Sequence, residues 1–332
     1  ECTIPTVQTT ERVTLPLSPA GEAPLTAQEI YERCAPSIVA VSAFPDETSD
    51  DSYYWGSGVI LTEDGYILTN SHVVEGTCRA RITLWNDTEY DALLVGYDPR
   101  TDIAVLKIDA HGLTAAEFAS TDSLLVGDAV YAIGNPLGKE FRSTMTEGII
   151  SGINRDISYN GVTNSLLQTS APINEGNSGG ALINVYGQVV GITNMKMSSQ
   201  YIGSVSIEGV AFAIPSGTVK TIADSLLESG EVRGRPALGI TVGKVPQAAM
   251  EEYDLPAGLY VSAVSEGSDC AAKGITAGDV LTAANGTALS VNEDLTGIIA
   301  GLSVGDEITL TVWHEGETHD VTVKLVDVND VY

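Results

Sequence analysis

Short apolar runs separated by turn residues dominate the chain from Ser37 to Pro215. The runs are rich in β-branched residues, and clusters of Gly, Asn, Asp and Pro lie between them. This pattern is typical of strands joined by turns, and not of alternating strands and helices. Asp64-Gly65 lies between two such runs and predicts a hairpin turn. We therefore expect an all-β barrel or sandwich, with strands near 38–43, 58–61, 66–69, 80–85, 91–97, 103–108, 129–133, 143–153, 188–193 and 209–214.

Two helices are predicted at the borders of this β-rich part. Thr26-Ala27-Gln28-Glu29 has the pattern of a capping box, which predicts a short helix to about Cys34 that Pro36 ends. A second helix is predicted over 216–229, because its apolar residues lie on one face and Gly230 follows it. Residues 1–25 contain several prolines and no periodicity, which indicates an extended tail or tether.

A smaller unit follows the glycine- and proline-containing linker 231–236. Its apolar pattern predicts strands near 238–242, 258–264, 279–284, 307–313 and 318–326, and short helices near 269–273 and 292–300. We therefore divide the chain into a tail (1–25), a main domain (26–230), a linker (231–236) and a second domain (237–328).

The net charge of −28, from 44 acidic and 16 basic residues, argues against binding of nucleic acid or anionic lipid through a basic face. No apolar run approaches the length of a membrane span. Because the chain starts at Glu1 and not at Met, we expect a processed protein from which an N-terminal leader or membrane anchor has been removed.

The four cysteines are widely spaced and form no Cys-x-x-Cys pair, so we predict no metal site. Their even number and spacing are compatible with one or two disulfides in an extracytoplasmic protein, and equally with buried free thiols. Four cysteines allow three pairings, and the sequence does not choose among them. The residues are Cys2, Cys34, Cys78 and Cys270.

A serine flanked by glycines stands near the middle of the chain, in Asn174-Glu175-Gly176-Asn177-Ser178-Gly179-Gly180. Taken alone, this stretch fits an ordinary surface turn as well as a catalytic loop. Glycines at such a position can also turn backbone N–H groups toward one point beside the Ser178 hydroxyl. The other candidate residues decide between the two interpretations.

His72 and Asp102 are the residues best placed to activate that serine. A serine hydroxyl needs a base to act as a nucleophile at neutral pH, and His72 follows a predicted strand at the start of a helical turn. Asp102 opens an apolar strand, which is where a buried orienting carboxylate is expected. The order His72, Asp102, Ser178 is that of the chymotrypsin-type barrel, and differs from the order in α/β-hydrolases and in subtilisins.

Several motifs together resemble those of the HtrA (DegP/DegS-like) serine proteases over about residues 27–328. In the main domain they are Thr69-Asn70-Ser71-His72-Val73-Val74, Thr101-Asp102-Ile103-Ala104-Val105-Leu106, Gly176-Asn177-Ser178-Gly179-Gly180-Ala181-Leu182 and Gly209-Val210-Ala211-Phe212-Ala213-Ile214-Pro215. In the second domain they resemble a PDZ domain and are Leu238-Gly239-Ile240, Gly258-Leu259-Tyr260-Val261 and Gly274-Ile275-Thr276-Ala277-Gly278-Asp279-Val280-Leu281.

The resemblance implies a mainly β fold, with a chymotrypsin-like double six-stranded β-barrel protease domain followed by a PDZ domain. It implies a serine endopeptidase with Ser178 as nucleophile, His72 as base, Asp102 as the orienting acid, and an oxyanion hole formed by the N–H groups of Gly176 and Ser178. It implies no cofactor. The substrate pocket would be lined by Ile173, Thr193, Asn194, Met195, Lys196 and Ala211.

No aspartate lies at the expected base of that pocket, where Pro172 falls. We therefore expect cleavage after a small or medium aliphatic residue such as Val or Ala. Lys196 could reach the pocket rim. A Glu175 carboxylate beside the oxyanion hole would raise the free energy of the oxyanion unless it faces solvent. The segment 195–208 is expected to be an activation-type loop.

The resemblance further implies that the PDZ domain binds C-terminal peptides through Ala237, Leu238, Gly239 and Ile240, and that the protein is a homotrimer. The aromatic stretch Ser52-Tyr53-Tyr54-Trp55 fits a subunit contact or a packed loop. The function that the resemblance implies is protein quality control, the cleavage of misfolded or unstructured extracytoplasmic proteins, in the bacterial cell envelope or as a secreted protein. The alternatives are a PDZ-regulated signalling protease with one defined substrate, and a chaperone or scaffold with a silent protease domain.

Overall fold

The computed structural model of the protein describes residues 3–9, 13–21, 23–48, 53–135, 143–159, 162–194 and 209–331. The chain separates into two compact units, the first reaching Val232 and the second beginning at Arg233. Most regular structure in both units is β-strand. The predicted fold class, a double β-barrel followed by a smaller domain, is confirmed.

The first barrel closes from six antiparallel strands in the order β1-β2-β3-β6-β5-β4. All residues of β1 and β3 are buried, and so are all residues of β6 except the last. These strands face the barrel interior on one side and packed elements on the other. A short helix, α2 (Ser71–Val74), follows β3 directly. The strands are β1 (Ile38–Phe44), β2 (Tyr54–Ile60), β3 (Tyr66–Thr69), β4 (Arg79–Thr83), β5 (Glu89–Asp98) and β6 (Ile103–Lys107).

The second barrel also closes from six strands, in the order β10-β11-β12-β9-β8-β7. Two of them, at 162–169 and 181–184, were not among the predicted strands. A large apolar cluster contains residues of both barrels, including Leu68, Val105, Ile192 and Phe212, and joins them into one unit. The strands are β7 (Ala129–Gly134), β8 (Thr144–Tyr159), β9 (Val162–Thr169), β10 (Ala181–Asn184), β11 (Val189–Thr193) and β12 (Ala211–Pro215).

The two predicted border helices are confirmed. Helix α1 (Ala27–Cys34) begins with the predicted capping box, in which the Thr26 hydroxyl accepts from the Glu29 N–H and the Glu29 carboxylate accepts from the Thr26 N–H. Helix α3 (Ser216–Ser229) ends at Gly230, whose φ of 78° is the left-handed conformation that a helix C-cap requires.

The described residues of the N-terminal tail are extended and packed against the barrels. Ile4 and Leu15 are buried in two different apolar clusters. Thr6 forms a parallel bridge to Leu94, and Ser18 forms one to Ala119. The segment therefore lacks periodicity because it lies as an extended chain against the surfaces of the two barrels.

The second unit is built on a sheet in the order β14-β15-β16-β18-β19, with β17 paired to β16 and a separate ladder of β13 and β20. Because β14 ends this sheet, one of its edges pairs with no strand of the described chain. The strands are β13 (Pro236–Ala237), β14 (Ile240–Lys244), β15 (Leu259–Val264), β16 (Val280–Ala284), β17 (Thr287–Ala288), β18 (Glu307–His314), β19 (Glu317–Lys324) and β20 (Val326–Asp327). The helices are α4 (Gln247–Tyr253), α5 (Asp269–Ala272) and α6 (Asn292–Ala300).

The cysteines fall into both classes that the sequence left open. Cys78 is disulfide-bonded, whereas Cys34 and Cys270 are free and buried. Burial raises the pKa of the Cys34 thiol to about 11 and that of Cys270 to about 12, which makes both unreactive at neutral pH. Cys2 lies outside the described residues. The described helices include none with the length and apolar character needed to cross a membrane.

Candidate active site

His72 is carried by α2, the four-residue helix that follows β3. The strand is completely buried, so the start of the helix has a fixed position in the barrel. Asn70 precedes the helix in an extended conformation, and both Asn70 and Ser71 are fully buried. The His72 side chain keeps 23% of its surface exposed, which leaves the imidazole accessible from one side.

Asp102 lies in the turn between β5 and β6, and its side chain is 2% exposed. Its φ of 61° is in the left-handed region, which is uncommon for a residue with a side chain. The Asn70 side-chain amide donates to the Asp102 carbonyl over 2.8 Å and holds this backbone conformation. Strained backbone of this kind occurs preferentially at functional sites.

The Asp102 carboxylate accepts four hydrogen bonds. One oxygen, Oδ1, accepts from the Ser71 hydroxyl and from the His72 N–H, each over 2.9 Å. The other, Oδ2, is 2.6 Å from the His72 Nδ1 and accepts from the Asn194 amide over 2.8 Å. The carboxylate therefore fixes the His72 ring through both its backbone and its side chain.

The pKa of Asp102 is lowered in spite of its burial. Burial by itself raises the pKa of this carboxyl, but hydrogen bonding and charge attraction from His72, with a further hydrogen bond from Ser71, outweigh that effect. Asp102 is consequently ionised at neutral pH. An ionised acceptor at Oδ2 requires a proton on the His72 Nδ1, which leaves Nε2 free to accept one.

Ser178 lies in the loop between β9 and β10 and is 4% exposed. Its carbonyl accepts from the N–H of Ser57 in β2 over 2.7 Å. A Cβ placed on Gly56 would lie 2.7 Å from a methyl group of Val73, the neighbour of His72, and 3.1 Å from the Ser178 carbonyl oxygen. The structure thus brings the Ser178 loop against the same strand as the helix that carries His72.

Gly179 makes this close approach possible. Its φ is 83°, and a Cβ at this position would lie 2.2 Å from the Ser57 carbonyl and 2.6 Å from the Thr69 hydroxyl. No side chain fits there without displacing backbone, so the glycine after Ser178 is required by packing as well as by conformation.

The backbone around Ser178 contains the two N–H groups predicted to form the oxyanion hole, those of Gly176 and Ser178. Gly176 is buried with φ at 93°, and within the described residues its N–H has no hydrogen-bond partner. The carbonyl of Asn177 accepts from the Thr193 hydroxyl over 2.5 Å and from the Gly180 N–H over 2.9 Å. Because a trans peptide places N–H opposite to C=O, the N–H of Ser178 points away from Thr193.

The residues predicted to line the substrate pocket are only partly described. Ile173 and Ala211 are buried in the apolar cluster of the second barrel. Thr193 and Asn194 are fully buried and donate to Asn177 and Asp102, respectively. Met195 and Lys196, with the rest of the predicted activation loop 195–208, lie outside the described residues. Glu175 is exposed, which keeps its charge in solvent.

The predicted peptide-binding segment of the second unit leads into the edge strand β14. Gly239 has φ at 66°, and a Cβ there would lie 2.5 Å from the Ser268 Cβ. Leu238 and Ile240 on either side are buried in the core of this unit, and Ala237 belongs to β13. Helix α6 lies beside β14, with the Asn292 amide 3.5 Å from the Val242 carbonyl.

Sequence reasoning missed the polar residues that support Asp102. Asn70 and Ser71 stand in the quoted motif around His72, but only their burial reveals them as partners of Asp102. Asn194 was predicted as a pocket residue, and its contact with Asp102 depends on a pairing of distant segments.

The described residues contain no group of three or more His, Cys, Asp or Glu side chains arranged to hold a metal ion.

Comparison with known proteins agrees with this geometry. Residues 56–192 match the trypsin-like peptidase domain family, and residues 236–325 match the PDZ domain family. The chain is 41% identical over 288 residues to a serine protease Do-like HtrA of Lactobacillus helveticus, covering 83% of this chain and 69% of that protein. It is 39% identical to a probable periplasmic serine protease do/HhoA-like of Haemophilus influenzae, over 81% of this chain and 58% of that protein.

A solved structure of the HtrA-type protease AlgW with a decapeptide has a TM-score of 0.66 to this chain and 30% sequence identity, covering 91% of this chain and 99% of that one. Two closed six-stranded barrels with a serine loop beside a His–Asp pair define a trypsin-like serine endopeptidase. The chain belongs to the HtrA family of serine proteases, the group with a protease domain followed by a PDZ domain.

Proposed function

We propose that Ser178, His72 and Asp102 form the catalytic triad of this endopeptidase. The observation that carries the proposal is the distance of 2.6 Å between Asp102 Oδ2 and His72 Nδ1. Three further donors, the Ser71 hydroxyl, the His72 N–H and the Asn194 amide, hold the Asp102 carboxylate in this position. An imidazole fixed in this tautomer can accept a proton at Nε2, which is the requirement for activating a serine hydroxyl.

The reaction then proceeds by two acyl-transfer steps. Ser178 Oγ attacks the scissile carbonyl carbon while His72 takes the hydroxyl proton, and the negative charge develops on the carbonyl oxygen. The N–H groups of Gly176 and Ser178 donate to that oxygen. His72 returns the proton to the leaving amine, and water activated by His72 hydrolyses the acyl-enzyme in the second step. Asp102 remains ionised throughout and stabilises the imidazolium.

The proposed substrates are misfolded or unstructured proteins outside the cytoplasm. The Haemophilus relative is named as periplasmic, and the disulfide at Cys78 is of the kind that persists in oxidising compartments.

We propose a homotrimer as the functional assembly. Tyr53, Tyr54 and Trp55 fit a subunit contact because they are 37%, 58% and 40% exposed, although the Tyr53 ring also contacts the rings of Phe44 and Trp55.

Cleavage is expected after small or medium aliphatic residues. Ile173 and Ala211 supply apolar surface from the second barrel, and Pro172 occupies the position where a basic specificity would need a carboxylate. Digestion of a peptide library with mass-spectrometric readout should show Val or Ala before the cut in most products. A majority of cuts after Arg, Lys or aromatic residues would refute this specificity.

The second unit is proposed to bind C-terminal peptides by strand addition to β14. The open edge of that strand and the glycine turn before it supply the backbone groups that this mode of recognition uses. The same edge strand supports a second candidate function, a regulatory protease that makes a defined cut only when a peptide occupies the PDZ domain. The complete His–Asp pair gives no support to a silent scaffold.

Digestion of unfolded casein separates these functions. For a quality-control protease we expect the wild type to degrade casein without additives, and Ser178→Ala to be inactive. Cleavage that appears only when a hydrophobic C-terminal peptide is added would favour the regulatory protease. A wild type that is inactive with and without peptide would overturn the proposed enzyme function and leave the scaffold.

A further inference from the structure

The hydroxyl of Ser57 is buried at the centre of a hydrogen-bond network that the proposed triad does not explain. Ser57 lies in β2 and is 0% exposed. Its Oγ donates to the carbonyl of Gly176 over 2.7 Å and accepts from the N–H of Asn135 over 2.8 Å. A fully buried hydroxyl with both a donor and an acceptor partner has one defined orientation.

The main chain of Ser57 contacts the same loop. Its N–H donates to the Ser178 carbonyl over 2.7 Å, and its own carbonyl accepts from the Thr69 hydroxyl over 2.7 Å. Ser57 therefore holds the serine loop at two points, Gly176 and Ser178, which are the two residues proposed to bind the oxyanion. Its other contacts connect it to β3 ahead of His72 and to the end of β7.

The bond to Gly176 fixes a residue with unusual conformational freedom. Gly176 has φ at 93°, and glycine can leave such a conformation at little cost. The peptide that joins Gly176 to Asn177 is held at both ends, because its carbonyl accepts from Ser57 and its N–H donates to the Asn174 carbonyl over 3.0 Å. With this peptide plane fixed, the direction available to the Gly176 N–H is restricted.

Asn135 is itself held in place, so the network is anchored in the barrel wall. Its side-chain amide donates to the Val39 carbonyl over 2.7 Å, and its side-chain carbonyl accepts from the Ser143 N–H over 3.0 Å. A rotation of the Ser57 hydroxyl away from Gly176 would leave a buried carbonyl without its donor, which is unfavourable.

We propose that Ser57 is a positioning residue for the oxyanion hole, acting through the Gly176 carbonyl to aim the Gly176 N–H at the oxyanion. The inference rests on the proposed roles of Ser178 and Gly176. Ser57 touches neither the scissile bond nor the triad side chains, so its loss should weaken transition-state binding and leave ground-state binding of the substrate nearly unchanged.

The test compares Ser57→Ala with Ser216→Ala in the full chain. Ser216 is a matched control, because its hydroxyl is also 0% exposed and donates to a backbone carbonyl, that of Ala119, over 2.5 Å. We expect kcat on a peptide substrate to fall about 10- to 100-fold in Ser57→Ala, less than the 10²–10³-fold typical for removing an oxyanion donor, with KM within about threefold. Ser216→Ala should keep the wild-type kcat.

A peptide boronate supplies a readout that a merely structural role would not change. Its tetrahedral adduct with Ser178 would place a boron-bound oxygen in the oxyanion hole, so its affinity should fall by the same factor as kcat in Ser57→Ala. Thermal unfolding of both variants checks that each is folded. A folded Ser57→Ala with kcat and boronate affinity equal to those of Ser216→Ala would overturn the proposal.

Ser57→Cys covers the case in which the alanine variant does not fold. The thiol has nearly the same shape and is a weaker donor, so a folded enzyme with kcat lowered by about fivefold or more is expected. Wild-type kcat in Ser57→Cys, together with unfolding of Ser57→Ala, would assign Ser57 to stability alone and overturn the proposal. Equal activity of wild type and Ser178→Ala would instead refute the proposed triad, whatever Ser57 does.

Discussion

Replacing Ser178 by alanine is expected to lower kcat by about 10⁵- to 10⁶-fold, to the level that binding and the oxyanion donors alone provide. The substitution removes one oxygen atom and keeps the hydrogen bond from the Ser57 N–H to the backbone carbonyl at position 178. KM and the unfolding temperature should therefore change little. Initial rates on a fluorogenic peptide, with thermal unfolding of both proteins, measure the effect.

A matched control for that experiment is Ser170→Ala. Ser170 lies shortly before the same loop, and its hydroxyl accepts from the Ile149 N–H over 3.0 Å. It carries no proposed catalytic role, so kcat should stay within a few-fold of wild type. A Ser178→Ala enzyme that retains more than about one per cent of the wild-type kcat would rule out Ser178 as the nucleophile.

Replacing Asp102 by asparagine is expected to lower kcat by about 10⁴-fold near neutral pH. The carboxylate oxygens face donors only, so an amide NH₂ group at either position meets a donor. If the NH₂ group replaces Oδ2, His72 must accept at Nδ1 and carry its proton at Nε2. In that tautomer His72 cannot accept the proton of Ser178.

The imidazole tautomer can be measured directly. In ¹⁵N NMR spectra of histidine-labelled protein, the wild type should show a protonated Nδ1 for His72, and Asp102→Asn should show a protonated Nε2, with His72→Gln used for assignment. Asp128→Asn is the control, since this substitution removes the same charge from a turn, where the Asp128 carboxylate accepts from the Leu125 N–H. An Asp102→Asn enzyme with unchanged tautomer and kcat would exclude the orienting role.

The main features of the site could be predicted because they depend on local sequence and on chain order. His72 follows an apolar strand, Asp102 precedes one, and Ser178 stands in a glycine turn, so each was identifiable from its neighbours. Their order along the chain then indicated the barrel type. The capping box at Thr26 and the helix stop at Gly230 are similarly local, and both are confirmed.

The features that were missed depend on contacts between distant segments. Strand β9 has the sequence VTNSLLQT, whose polar residues hide the buried Leu166 and Leu167. Strand β10 has four residues and follows two glycines, so its pattern is too short to separate from the turn. The partnership of Asn194 with Asp102 and the network around Ser57 arise from closure of the barrels, and no local pattern marks them.

For the N-terminal tail, the local sequence pattern predicts the conformation of the chain but not its burial. Its prolines and lack of periodicity predict an extended chain, but the burial of Ile4 and Leu15 comes from apolar clusters that barrel residues form. The tail is thus held by contacts with distant parts of the chain, and its local sequence pattern does not show these contacts.

The central claim is that Ser178 is the nucleophile of a serine endopeptidase, and covalent labelling tests it most directly. The protein would be treated with a fluorophosphonate, digested with a second protease, and the modified peptide identified by mass spectrometry. We predict one phosphonyl adduct, on Ser178, in the wild type and none in Ser178→Ala. An adduct on a different residue, or a wild type that cleaves casein and resists labelling at Ser178, would contradict the claim.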